Sequence, residues 1–170
     1  KHTGLKINKD FFICYSPERI NPGDNTKKLN QIDKIFSTKI KDKRKINDIK
    51  KIYSLVSKKL IFTKNIQESE AAKVIENIQR DLNIAFYNEI LMICDKLKLN
   101  FSEVIRLAST KWNFLKFNPG LVGGHCLPVD PYYLSYISKK NNLNLKTTLA
   151  GRDTNNSMKK YVLDKFKEYF

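Results

Sequence analysis

Residues 66–97, IQESEAAKVIENIQRDLNIAFYNEILMICDKL, run without a glycine or a proline. Ala71, Ile75, Ile78, Leu82, Phe86 and Ile93 recur at the 3.6-residue period of a helix, while Lys73, Asn77, Arg80 and Ile84 fall on the opposite side. Roughly 30 residues at the α-helical rise span about 45 Å, more than a small domain needs. Such a helix bridges two domains or packs against a partner. It divides the chain into an upstream and a downstream part.

Upstream, the grammar is that of an α/β layer. Phe11 to Tyr15 is a short apolar run closed by Ser16 and Pro17, which reads as a buried strand. Asn21, Pro22, Gly23 and Asp24 read as a turn. Residues 34–37 form a second, weaker strand. Ile46, Ile49, Ile52 or Tyr53, and Val56 repeat at helical spacing, and residues 60–63 give a further strand. Downstream, Asn100 and Glu103 have the spacing of a capping box and start another helix through Ala108. Tyr132 to Leu134 lead into a helix, residues 141–144 are a polar link, and residues 153–170 read as a last helix.

The second informative stretch is Pro119 to Pro131, PGLVGGHCLPVDP. It holds three of the six glycines, three of the five prolines and one of the three cysteines, whereas residues 24–118 contain no glycine or proline. Glycine opens backbone conformations closed to other residues and proline fixes φ, so this is a loop with a tightly defined shape. Cys126 in its middle reads as a reactive thiol. Cys14, in a strand, and Cys94, on the long helix, read as small buried hydrophobes. His125 reads as structural, because successive side chains point apart. Asp130, four residues after Cys126, caps the loop or works on a water. Lys73 and Asn77, one helical turn apart, are a solvated pair or a cation and an amide aimed at one oxyanion. Glu18 stands at the end of a strand, where α/β sheets place ligand contacts. Spacing alone supports a thiol enzyme of unspecified substrate.

Composition narrows the classes further. The formal net charge is +15, but of 32 basic residues only five are arginine, and the lysines are spread throughout. Nucleic-acid sites lean on arginine forks and aromatic stacking, so no specific nucleic-acid partner is expected. No apolar run approaches the roughly 18 residues of a membrane span. Three scattered cysteines fit neither a disulfide framework nor a metal site, and a reducing, cytoplasmic setting is expected. Because residue 1 is not methionine, the chain is expected to be a piece of a longer protein.

Four stretches together resemble the UDP-glucose/GDP-mannose dehydrogenase family of nucleotide-sugar 6-dehydrogenases: Tyr15 to Asp24, Glu70 to Asn77, Lys111 to Phe117 and Pro119 to Leu134. The resemblance covers nearly the whole chain. The sequences around Asn21 to Asp24, Trp112 to Leu115 and Gly124 to Cys126 look like the UDP-N-acetylhexosamine branch. The UDP-glucose branch commonly carries a second acidic residue four positions after the first, where this chain has Pro22.

The resemblance implies a fold that is α/β at the N-terminus, the end of a Rossmann-like NAD domain, followed by a mainly α-helical dimerisation domain with a long connecting helix. It implies three parts: residues 1–65 from the NAD-binding domain, 66–150 as the central helical domain with the catalytic cysteine, and 151–170 as the start of a UDP-sugar-binding domain. It implies oxidation of the C6 alcohol of a UDP-sugar to a uronic acid with NAD, serving surface-polysaccharide synthesis. Cys126 is then the nucleophile. Lys73 and Asn77 hold the oxyanion, Asp130 is the base acting through water, and Glu18 assists thioester hydrolysis. Phe114, Leu115, Lys116 and Gly123 match segments around the nucleotide-sugar. A homodimer through the long helix is implied as well. The Gly-x-Gly-x-x-Gly turn of the NAD domain is missing, so no cofactor-binding residue is assigned and the isolated chain is expected to be inactive. A dimerisation module or inactive remnant is the alternative.

Overall fold

The computed structural model describes residues 3–20 and 28–170, so the turn expected at 21–24 lies outside the described residues. The chain forms two compact units, residues 1–73 and 74–170.

In the first unit, strands β1 (Cys14–Tyr15), β2 (Lys34–Thr38) and β3 (Leu60–Thr63) make one sheet in that order. β2 and β3 are parallel, with Lys34 opposite Leu60, and β1 is antiparallel to β2, with Cys14 opposite Thr38. A parallel pair needs a crossover, and helix α1 (Lys43–Ser54) supplies it. Asp42 caps α1 by accepting from the Arg44 N–H at 2.9 Å. Phe36 is the centre of this small core, its ring 5.1 Å from Phe62 and 5.8 Å from Tyr53. Ser57 is buried without loss because its hydroxyl donates to Ile32 O and Lys59 O. The apolar run 11–15 is a strand only at its last two residues, and Phe11, Phe12 and Ile13 are exposed. Their hydrophobicity reads as burial, yet β1 has β2 as its one ladder partner among the described residues.

Helix α2 (Ile66–Lys96) carries the boundary between the units. It ends where Lys98 takes a left-handed conformation and the Leu99 N–H donates back to Cys94 O at 2.8 Å. Helix α3 (Phe101–Ala108) starts on Asn100, whose side chain accepts from the Glu103 N–H at 3.2 Å. Helices α4 (Asp130–Lys140) and α5 (Lys146–Tyr169) pack on each other. α5 begins seven residues before the expected start at 153 and carries Gly151 buried inside it.

The stripe expected to bury α2 is only partly inward. Ile78 is buried, but Ile75, Phe86 and Ile93 are about half exposed. The inward surface of the second unit instead takes Asn77, Asp81, Ala85, Tyr87 and Asn88. Five residues so buried, four of them polar, require partners from the same unit. α5 approaches α2 closely at Gly151, where an added Cβ would lie 2.5 Å from Leu82 Cδ2. Gly151→Ala therefore gains up to about 1 kcal/mol of helix propensity while forcing Leu82 to turn, and is expected to change stability by under about 1 kcal/mol. Gly151→Leu cannot be met by one rotation and is expected to destabilise by about 1–3 kcal/mol in urea unfolding.

Candidate active site

Asp130 opens α4, and its backbone N–H and that of Val129 donate to Cys126 O at 2.9 and 3.1 Å. These bonds turn the chain so that the cysteine sits one turn ahead of the helix, with its thiol exposed. Asn77, 3% exposed, donates its Nδ2 to Asp130 Oδ2 at 2.6 Å. A carboxylate only accepts, so the Asn77 amide must turn its nitrogen toward Asp130. That nitrogen carries a second hydrogen. Three of the expected residues, Asn77, Cys126 and Asp130, are thus joined by short bonds within the second unit.

Lys73 lies one turn before Asn77 on α2 and is half-buried. Glu18, in the first unit, is exposed and accepts from the Arg19 and Ile20 N–H groups at 2.7 and 2.9 Å. Its other oxygen is 3.6 Å from Lys34 Nζ. Partial burial pushes the Glu18 carboxyl up, but the two backbone bonds and Lys34 outweigh it and hold the group below the usual carboxylate range. Glu18 borders a cavity of about 210 Å³ with Arg19, Ile32, Lys34 and Tyr53.

The expected substrate segment is fixed from beneath. Tyr87 donates its hydroxyl to Leu115 O at 2.7 Å, and its ring lies 6.3 Å from Phe114 and 6.2 Å from Phe117. Phe114 is half-buried by this contact, whereas Leu115 and Lys116 project into solvent. Gly123 is exposed with nothing within 4 Å of an added Cβ.

Sequence reasoning missed Asp81, Tyr87, Asn88, Arg152 and Asn155, all buried. The available signal was spacing: Asn77, Asp81 and Asn88 stand four and eleven residues apart, which on a helix is one face. A polar line on one face of a mostly apolar helix marks a buried network.

The three thiols differ in access. Cys126 is exposed, Cys94 is buried, and Cys14 is half-buried. Burial raises the Cys14 thiol above its ordinary value, against the lowering effects of the Ser37 backbone and Tyr53. Iodoacetamide near neutral pH is therefore expected to modify Cys126 first. Peptide mass mapping that found Cys14 or Cys94 alkylated before Cys126 would contradict this placement. Among the described residues there is no cluster of His, Cys, Asp and Glu able to hold a metal, and no helix long and apolar enough to cross a membrane.

The profile of the UDP-glucose/GDP-mannose dehydrogenase family, central domain, matches residues 67–157. The chain belongs to this family. It is 47% identical over 163 residues to Protein CapL of Staphylococcus aureus, covering 95% of this chain and 38% of that protein. It is 46% identical over 161 residues to the UDP-N-acetyl-D-glucosamine 6-dehydrogenase of Salmonella typhi, covering 94% and 37%. Among solved structures, the UDP-D-ManNAc dehydrogenase of Pyrococcus horikoshii superposes with a TM-score of 0.83 at 32% identity, over 98% of this chain and 39% of that one. The chain thus spans under two fifths of the length of these relatives. The family assignment fits a short sheet followed by a mainly helical region around one long helix.

Proposed function

We propose that these 170 residues are the portion of an NAD-dependent UDP-N-acetylhexosamine 6-dehydrogenase that supplies its nucleophile, for surface-polysaccharide synthesis in the cytoplasm. The observation that carries this is the Asn77–Asp130 bond, which gathers an amide donor and a carboxylate at the loop bearing an exposed thiol. NAD⁺ is the hydride acceptor of such a reaction. The residues here do not fit it, because the six glycines form no Gly-x-Gly-x-x-Gly turn to cradle a pyrophosphate.

The chain's own chemistry is acyl transfer. The Cys126 sulfur adds to the C6 aldehyde carbon, an S–C bond forms, and the carbonyl π pair moves to oxygen. That oxyanion takes the second N–H of Asn77 and the ammonium of Lys73, one turn away. Once loss of a hydride to the NAD⁺ that the reaction requires would have brought that carbon to the thioester level, water adds to the carbonyl carbon, the S–C bond breaks with its electron pair returning to the Cys126 sulfur, and Asp130 takes the water's proton, with Glu18 assisting. Phe114, Leu115, Lys116 and Gly123 contact the nucleotide-sugar. Residues 1–65, 66–150 and 151–170 belong in turn to the NAD-binding, central and UDP-sugar-binding domains. The exposed Ile75, Phe86 and Ile93 of α2 support a homodimer through the long helix.

The test is an assay of the enzyme that carries this chain joined to its NAD-binding portion, following NADH absorbance. Turnover with UDP-GlcNAc, UDP-GalNAc or UDP-ManNAc in preference to UDP-glucose, yielding the uronic acid, is the expected result. No turnover with any of the four overturns the reading in favour of a dimerisation module. The isolated 170 residues are expected to reduce no NAD⁺ with any of them.

A further inference from the structure

The second unit buries a polar chain that ends on the cysteine loop. Asn88, 0% exposed, accepts from the Gly120 N–H at 2.7 Å and donates its Nδ2 to Gly120 O at 3.0 Å. The same Nδ2 donates to Asn155 Oδ1 at 2.8 Å. Asn155 in turn donates its Nδ2 to Asp81 O and Asp81 Oδ1 at 2.9 and 2.8 Å. Asp81 Oδ1 also accepts from Arg152 Nη1 at 2.5 Å.

We infer that Asn88 is a positioning residue for the loop carrying Cys126 and Asp130, and that Asp81, through its carboxylate and its backbone carbonyl, sets the orientation of its amide by way of Asn155. A backbone N–H only donates and a carbonyl only accepts, so Gly120 admits one orientation of the Asn88 amide. A carboxylate and a backbone carbonyl only accept, so Asp81, through both, forces Asn155 to present its nitrogen inward and its oxygen to Asn88. Every donor hydrogen on the two amides is then used. The chain has one self-consistent polarity, fixed at one end by an anion and read at the other by the loop.

Geometry adds to this. Asn77 and Asn88 are eleven residues apart on α2, close to three full turns, so they share a face about 16 Å apart. Asn77 holds Asp130 and Asn88 holds Gly120, so α2 fastens both ends of the loop. A loop pinned at both feet to one rigid helix holds its thiol and carboxylate at a fixed separation, which a nucleophile and its proton acceptor require. The consequence for turnover rests on the proposed role of Cys126, whereas the hydrogen-bond register does not.

The test compares Asn88→Leu and Asn155→Leu with Met158→Ala, a change to a buried apolar residue of α5 outside the network. Amide exchange by NMR in the 170-residue chain reads Gly120, Val129, Asp130 and, as internal control, Leu99, whose N–H is bonded elsewhere in the unit. In Asn88→Leu the Gly120 amide is expected to exchange about tenfold faster, and Val129 and Asp130 about threefold, with Leu99 unchanged. Asn155→Leu, which removes the link to Asn88 but leaves the Asp81–Arg152 pair in place, is expected to move the same three amides less, and it decides the matter if Asn88→Leu does not fold. Met158→Ala is expected to move all four together. Loop amides that respond to the network variants no more than Leu99 does overturn the inference. In the enzyme carrying the chain, Asn155→Leu is expected to lower kcat roughly 10- to 100-fold with KM within about threefold. An unchanged kcat beside altered loop exchange, with Cys126→Ser still active, would fault the nucleophile and leave the anchoring intact.

Discussion

Arg152→Met is expected to destabilise the 74–170 unit by about 3–5 kcal/mol. Arg152 and Asp81 are 2% and 1% exposed, and their bond at 2.5 Å is the one charge pair of the unit's interior among the described residues. Methionine fills much of the arginine stem's volume, so packing changes little. What changes is that Asp81 keeps its bond from Asn155 but loses its countercharge in a medium that solvates it poorly. The pair is not ideally satisfied even as it stands, since Asp81 Oδ2 and Arg152 Nε have no hydrogen-bond partner among the described residues. That points to a pair kept for register more than for net stability.

A double-mutant cycle separates the two. Asp81→Asn alone leaves a buried guanidinium unpaired and is expected to be comparably harmful. Joined with Arg152→Met it removes both charges, so the double variant is expected to lose less than the sum of the singles by about 1–3 kcal/mol. Urea unfolding followed by circular dichroism, with the slope unchanged, reads all three. An Arg152→Met variant within about 1 kcal/mol of the parent would mean that solvent or another group reaches Asp81, and the buried-pair argument would fail.

The parts of the fold legible in the sequence are those that local forces decide. Strands β2 and β3, the extent of α2 and the Asn100 cap follow from period and capping chemistry within a few residues of each site. The inward face of α2 was not legible, because its polar residues are satisfied by groups far along the chain. Asn88 meets Gly120, 32 residues on, and Asn155, 67 residues on. Asp81 meets Arg152, 71 residues on. An amphipathic reading ranks such residues as solvent-facing, since it prices a polar side chain without knowing its partner. The start of α5 failed for a related reason. Gly151 is a poor helix former by local propensity, yet its missing Cβ is what lets Leu82 approach. The loop was legible in outline, because glycine and proline advertise a defined shape. Its attachment through Asn77 and Asn88 was not visible: spacing from Lys73 singled out Asn77 as an oxyanion amide, not as the partner of Asp130, and Asn88 not at all.

Cys126→Ser in the enzyme carrying this chain is expected to lower uronic acid formation by at least about 10³-fold, the scale at which losing an activated nucleophile acts. Serine replaces sulfur by oxygen with almost no change in shape, and Cys126 is exposed, so folding is expected to be unaffected. The bonds that turn the loop, from the Val129 and Asp130 N–H groups, end on the backbone oxygen of residue 126 and survive the exchange. KM for the UDP-sugar should therefore stay within about threefold, which separates a lost nucleophile from a lost binding surface. A hydroxyl is far less ionised than a thiol near neutral pH, so addition to the aldehyde slows. Any acyl group that does form sits on oxygen, a poorer leaving group than sulfur, and is expected to accumulate on residue 126. Intact-mass spectrometry after incubation with substrate and NAD⁺ would detect that ester as one added acyl unit. An Asp130→Asn partner experiment sharpens the assignment, since it keeps an oxygen to accept from Asn77 but removes the proton acceptor: the acyl-sulfur form should then persist. A Cys126→Ser enzyme that makes the uronic acid at near-normal rate would show that the sulfur takes no part in the bond changes, and the loop that Asn77 and Asn88 hold would then serve shape alone.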